Sequence, residues 1–277
     1  MNQQKRILAI NDISCFGKCS LAAAVPILSA SGLETCMLPT AVLSAHTAFP
    51  GFTFRDLTED MPSEANHWEQ LGLSFDGIYS GYLGSVRQVA CVEDIVDKFP
   101  CDFVLIDPVM GDNGKLYAGF DEMFAMEMRH LLSKASVIVP NVTEAAFLAG
   151  IEYECGSHSV DYITTVLKAL SRETKGDVVL TGVNTGRNTV GTAVYQKEQL
   201  RIIEREKYEV VYSGTGDVFA SAFAGAMMKG KSVLESAELA SDFVIDCIKA
   251  TIKTSGNRSY GVNFELCIGK WLERIEK

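Results

Sequence analysis

SGTGDVFASAFAGAMMKGKS, residues 213–232, carries two competing phosphate signals. Its last eight residues, GAMMKGKS (225–232), satisfy G-x-x-x-x-G-K-[ST], the pattern of a Walker A loop. Its first five, SGTGD (213–217), place two glycines ahead of an apolar segment. A true Walker A loop follows a buried strand and opens a helix, so that bare amides face the phosphates. TGDVFASAFA is instead apolar all round, with Ala and Ser at close-packing positions, and reads as a buried helix. Gly230 then falls at the C′ position that ends this helix. Ser232 with Glu235 forms a capping box for the next one, along which Val233, Ala237, Ala240, Val244 and Cys247 repeat at helical spacing. Helix–turn–helix grammar accounts for every residue of GAMMKGKS. The anion site therefore belongs at the other end of the helix.

Upstream, short apolar runs alternate with helical patterns, which predicts βαβ units and a mainly parallel sheet. RILAI (6–10), TCMLP (35–39), FDGIYS (75–80), DFVLID (102–107), SVIVP (136–140) and DVVLTG (177–182) are the strand candidates. A helix is expected over about 18–30. Val89, Val92, Val96 and Phe99 share one helical face, as do Ile163, Val166, Leu167 and Leu170. Segments around 190–206 suit an antiparallel pair at the sheet edge, and from there the chain turns helical to residue 277. No repeat or long linker interrupts the pattern, so one α/β domain over 1–277 is expected. The stretch 43–60 is neither helix nor clean strand; rich in aromatics, Gly and Thr, it suits a flap over one end of the sheet.

A net charge of −10 without a Lys/Arg cluster argues against nucleic acid and anionic membrane surfaces as partners. No apolar run reaches the length of a membrane span, and the N-terminal apolar run lacks the features of a secretion signal. The eight cysteines are scattered without C-x-x-C pairs, which predicts reduced thiols in a cytoplasmic protein.

At SGTGD the first-turn amides are unpaired and carry the positive end of the helix dipole. Asp217 adds a carboxylate there, which the dipole is expected to keep ionised. It either caps the helix or takes a proton from a hydroxyl attacking a phosphoryl group. Two other strand ends are acidic. DPVMGDNGKLY (107–117) supplies Asp107 and Asp112, and NVTE (141–144) supplies Asn141 and Glu144. DNG also makes a turn, and Asn141 with Glu144 a capping box. Ligands bind outside the carboxyl ends of parallel strands, so these three acids are candidate Mg²⁺ ligands. Together with SGTGD they converge on phosphoryl transfer. His46, alone beside the aromatic flap, is given no catalytic role.

The set SGTGD, DPVMGD (107–112), PNVTEA (140–145), SGYLGS (80–85) and LSAHTAFPG (43–51) resembles the vitamin B6 kinases, the pyridoxal/pyridoxamine kinases of the ribokinase superfamily. The similarity runs from about residue 6 to about 250; GTGD marks the superfamily, and the H-T and G-Y segments narrow it. The resemblance implies a three-layer αβα ribokinase-like fold and a homodimer. It also implies ATP-dependent phosphorylation of the 5′-hydroxymethyl group of pyridoxal, pyridoxine or pyridoxamine. On it Asp217 matches the catalytic base, with Gly214, Thr215 and Gly216 as the anion hole. Asp107, Asp112 and Glu144 match residues near metal and ATP phosphates, accompanied by Asn141, and Thr181 with Gly182 match a nucleotide contact. Thr47 and Tyr82 match residues of the vitamer pocket. One stretch departs from the pattern: NDISCFG places Asp12 and Ser14 where B6 kinases carry a serine followed by histidine. Asp-x-Ser resembles the hydroxymethylpyrimidine kinases of thiamin synthesis, the alternative reading, although that sister family carries cysteine where this chain has Asp217. A non-catalytic ligand-binding protein on the same fold is the third reading.

Overall fold

The computed structural model describes residues 4–186, 188–255 and 260–277. Strand β1 (Arg6–Ser14) alternates its side chains between two helical layers. Ile7 and Ala9 join one buried cluster, while Leu8 and Ile10 join the other. Helix α1 (Ser20–Ala30) returns the chain to β2 (Glu34–Leu43), which pairs parallel to β1. Both strands run longer than their apolar cores suggest, and β2 reaches into the expected flap. That flap also contains a short strand, β3 (Phe54–Asp56), antiparallel to β2, so the irregular parts shrink to 44–53 and 57–60.

Helix α2 (Met61–Gln70) then carries the chain across to β4 (Gly77–Ser80) on the far side of β1. From there α3 (Val86–Lys98) and β5 (Phe103–Ile106) continue outward. A small hairpin, β6 (Gly111–Asp112) and β7 (Lys115–Leu116), precedes α4 (Glu122–Leu131) and β8 (Val137–Ile138). Next come α5 (Val142–Ala149), α6 (Val160–Glu173) and β9 (Asp177–Val183). The antiparallel pair β10 (Thr189–Gln196) and β11 (Gln199–Glu206) closes the edge. Helices α7 (Thr215–Met228), α8 (Val233–Ser255) and α9 (Ile268–Ile275) complete the chain.

The resulting nine-stranded sheet has the order β11-β10-β9-β8-β5-β4-β1-β2-β3. Six parallel strands form its middle. Residues of α2 to α6 fill the core on one face, and those of α1, α7, α8 and α9 fill it on the other, giving three layers. From β1 the connection goes one way to β2; from β4 it goes the other way to β5. The crevice between β1 and β4 is thus the topological switch point, where open α/β sheets bind ligands.

GAMMKGKS lies as its grammar predicts. Gly225 sits inside α7, where a β-carbon would stand 2.5 Å from Ser31 Oγ on the segment after α1. Gly230 takes φ +90° after the helix, and Ser232 and Glu235 cap α8 reciprocally. No phosphate loop forms there.

Candidate active site

Gly214 caps the start of α7 with a φ of +76°, which favours glycine, and the Lys18 carbonyl leaves no room for a β-carbon there. The first turn that follows has open space beside it: Gly216 is exposed, and a β-carbon on it would meet nothing within 4 Å. Asp217, half-buried in this turn, points back to β1, where Asn11 Nδ2 donates to its Oδ1 at 3.2 Å. Burial pushes the Asp217 carboxyl up to about 6; the Ser20 amide opposes the shift and the nearby Asp12 charge adds to it. The dipole therefore does not hold this acid low as its position alone suggests. At neutral pH it is mostly ionised yet basic enough to accept a proton.

Asp12 lies 6% exposed at the end of β1, and its Oδ2 accepts from the Ser14 hydroxyl at 3.1 Å. Burial raises its carboxyl as well, with Ser20 and Ser14 working against the rise.

Across the switch point, Asp107 follows β5 and is almost wholly buried. Burial, then the charges of Glu144 and Asp217, hold its carboxyl well above the ordinary carboxylate range. Glu144 stands in the first turn of α5 in a complete capping box with Asn141. Its Oε2 accepts from Asn141 N at 2.8 Å and its Oε1 from Met110 N at 3.2 Å, while burial drives it up to about 8. Asn141 Nδ2 also donates to the Gly111 carbonyl, tying the 107–117 segment to α5. Asp112 is different. It is exposed, and its carboxylate accepts from Asn113 N and Asn113 Nδ2, bracing the Asn113–Gly114 turn of the β6–β7 hairpin.

The expected platform of three carboxylates is therefore not what the chain builds. Among the described residues no group of three His, Cys, Asp or Glu side chains could hold a metal unaided. Asp107 and Glu144 do suit Mg²⁺, which takes one or two protein carboxylates and draws its other oxygens from water and phosphate. They are buried acids whose mutual repulsion, with no cation among the groups acting on Asp107, calls for positive charge.

Thr181 and Gly182 stand near the end of β9, Thr181 bridging to Asn141 in the sheet. Gly182 has φ +71° and open space where a β-carbon would be. On the other flank Tyr82 is half-buried against Phe120, ring centroids 5.8 Å apart, and Thr47 is exposed on the flap. His46 Nδ1 accepts from Ala48 N, shaping the flap turn.

Two residues of this region were not legible as site residues. Tyr117, just beyond the hairpin, is 45% exposed, yet its phenol is raised first by partial burial and then by the charges of Glu144, Asp112, Asp107 and Asp217. Asn11, fully buried, signals itself only as a lone amide at the end of an apolar strand.

The sequence profile of the family described as phosphomethylpyrimidine kinase matches residues 66–262, well over half of the chain. The chain belongs to that family. Among solved members, a Bacteroides thetaiotaomicron protein provisionally titled a phosphomethylpyrimidine kinase, crystallised with pyridoxal, is 36% identical with a TM-score of 0.91 over 99% of this chain and 96% of that one. Pyridoxal kinase from Lactobacillus plantarum is 29% identical with a TM-score of 0.92, covering 98% of both chains. A Bordetella pertussis pyridoxine/pyridoxal/pyridoxamine kinase is 26% identical over 88% of this chain and 89% of its own. The ribokinase-like, three-layer fold of these kinases is the fold of this phosphomethylpyrimidine kinase family member. No helix among its described residues is long and apolar enough to cross a membrane.

Proposed function

We propose that the protein is a pyridoxal kinase that transfers the γ-phosphoryl group of ATP to the 5′-hydroxymethyl group of pyridoxal, pyridoxine or pyridoxamine. The observation that carries this reading is the placement of Asp217: a carboxyl raised to about 6, in the open first turn of α7, at the switch point of the sheet. The vitamer lies between Asp217 and the flap, near Asp12, Ser14, Thr47 and Tyr82. Asp217 accepts the hydroxyl proton as its oxygen bonds to the γ-phosphorus. The bond from that phosphorus to the bridging oxygen breaks, and ADP leaves. Amides of Gly214, Thr215 and Gly216 receive the charge on the equatorial oxygens. Asp107 and Glu144 would hold Mg²⁺, which when bound neutralises phosphate charge, with Asp112 at the rim. Thr181, Gly182 and Asn141 serve the nucleotide.

The experiment is Asp217→Asn assayed beside the wild type. Folding and ATP binding should persist while turnover falls by ~100-fold or more; near-normal turnover would refute the base assignment. Hydroxymethylpyrimidine is the second acceptor to test, because Asp12-x-Ser14 and the family profile both favour it. The better acceptor wins in kcat/KM when both are assayed in parallel. ADP formation that needs neither alcohol would point to another acceptor, and its complete absence to a binding protein. A cytoplasmic homodimer belongs to the same reading. The partly exposed edge formed by β2 and β3, with Met37 and Phe54, supports the dimer, and sedimentation tests it.

A further inference from the structure

Asn11 is 0% exposed and stands where β1 loses its regular pairing with β2, at an irregularity between Asn11 and Ile13. Bulges of this kind re-aim side chains beside active sites. The Asn11 amide is locked from one side. Its Oδ1 accepts from Asp12 N at 2.9 Å and from Tyr82 N at 3.0 Å. Those two donors use both lone pairs of the carbonyl and leave the NH₂ group facing Asp217 Oδ1 at 3.2 Å. The opposite flip would set the carbonyl against a carboxylate and the NH₂ against two N–H donors, so the network fixes the orientation. Space for the amide comes from a missing side chain: a β-carbon on Gly81 would stand 2.3 Å from Asn11 Nδ2. Strands β1 and β4 are thereby joined to α7 through one group. Around Asp217 the other titratable neighbours are Asp12, Asp107, Cys19, Tyr79 and Tyr117. Two are acids, none is a cation, and Asn11 is the side-chain donor.

We infer that Asn11 is a positioning residue, which holds the Asp217 carboxylate in a single orientation toward the acceptor hydroxyl. This rests on Asp217 being the base of the proposed reaction. With its Oδ1 held by Asn11, the carboxylate keeps one edge turned toward the acceptor hydroxyl. A carboxylate that turns freely loses that alignment, and misplacement by about 1 Å costs on the order of 100-fold in rate.

Asn11→Asp keeps the volume and an oxygen for Asp12 N and Tyr82 N while exchanging the NH₂ that donates to Asp217 for an oxygen that repels it. Its kcat should fall ~10- to 100-fold, with KM for ATP and for the vitamer within about twofold of wild type. Wild-type kcat in Asn11→Asp, or a loss confined to KM, overturns the inference. Should this variant not fold, Asn11→Ser and Asn11→Ala replace it. The serine hydroxyl restores a donor, so kcat for Ser must exceed that for Ala; equal values overturn the inference. Asp217→Asn is run in parallel. If that variant keeps its turnover, the base assignment itself fails, whatever Asn11→Asp does. If it is inactive and Asn11→Asp is not impaired, only the positioning role fails.

Discussion

Gly214 and Lys18 approach so closely that a β-carbon on the glycine would lie 2.2 Å from the Lys18 carbonyl oxygen. The loop before α1 is thus pressed onto the mouth of α7. Gly214→Ala combines this clash with a positive φ, which alone costs ~1–3 kcal/mol, and should lower the urea midpoint clearly. Gly216→Ala faces open space, so its folding should stay close to wild type while KM for ATP or kcat suffers. Equal midpoints for the two variants would contradict this division.

Buried acids make the ligand-free protein sensitive to alkali. A carboxyl raised above its unfolded value contributes stability that is full below that unfolded value and is lost as pH rises through the folded one. Asp217 rises from 3.8 to about 6 and Glu144 from 4.5 to about 8, and Asp107 also rises, so the loss spans roughly pH 4 to 8. Asp107→Asn removes one such charge. Its ligand-free melting temperature should exceed that of wild type at pH 8, with the gap closing by pH 5, while kinase turnover drops. Differential scanning fluorimetry reads this, and a lower melting temperature for the variant at pH 8 would count against it.

His158 and Asn184 clasp the segments that flank the end of β9. His158 N donates to Asn184 O at 2.6 Å, and Asn184 N donates back to His158 Nδ1 at 3.0 Å. Burial lowers the imidazole from its ordinary 6.5, against Glu154. A lowered histidine contributes stability present above 6.5 and lost as pH falls. His158→Phe should cost ~1–3 kcal/mol at pH 8 by leaving Asn184 N without its acceptor. The deficit should shrink from pH 8 toward pH 5, as the wild-type imidazole gains protons below 6.5 and loses the same bond. Urea titrations at the two pH values decide it.

Phe16, Phe49 and Tyr260 form an aromatic triad with centroid distances of 5.1 to 5.7 Å, joining the loop before α1, the flap and the segment after α8. Such pairs contribute ~0.5–1.5 kcal/mol each beyond burial. Phe49→Ala loosens the flap on this triad, so KM for the vitamer should rise roughly fivefold or more, as the loss of two such pairs, about 1–3 kcal/mol, implies, with KM for ATP little changed. An unchanged vitamer KM would detach the flap from substrate binding.

Much of this was readable from residue order. The parallel strands announce themselves by continuous apolar runs, because both faces are buried; α7 and α8 announce themselves by caps and spacing. Short polar-ended elements are harder. β3 has three exposed residues, and β8 keeps only two residues of a five-residue apolar run. At the site, Asp217 and Glu144 are legible because helix starts have a grammar. Asp112 is ambiguous by letters, since the carboxylate beside Asn113–Gly114 also serves the turn. Asn11 escapes notice because its meaning depends on Tyr82 and Asp217, 71 and 206 residues away.

Helix α7 runs opposite to the strands it covers, with Asp217 near the end of β1 and Met228 against Gly77 at the start of β4. Its 14 residues span about 21 Å. A pattern search by letters alone would put the nucleotide at the wrong pole of this rod, where lone carbonyls repel phosphate. Polarity along the backbone, rather than spelling, tells the pole suited to an anion from the one that is not.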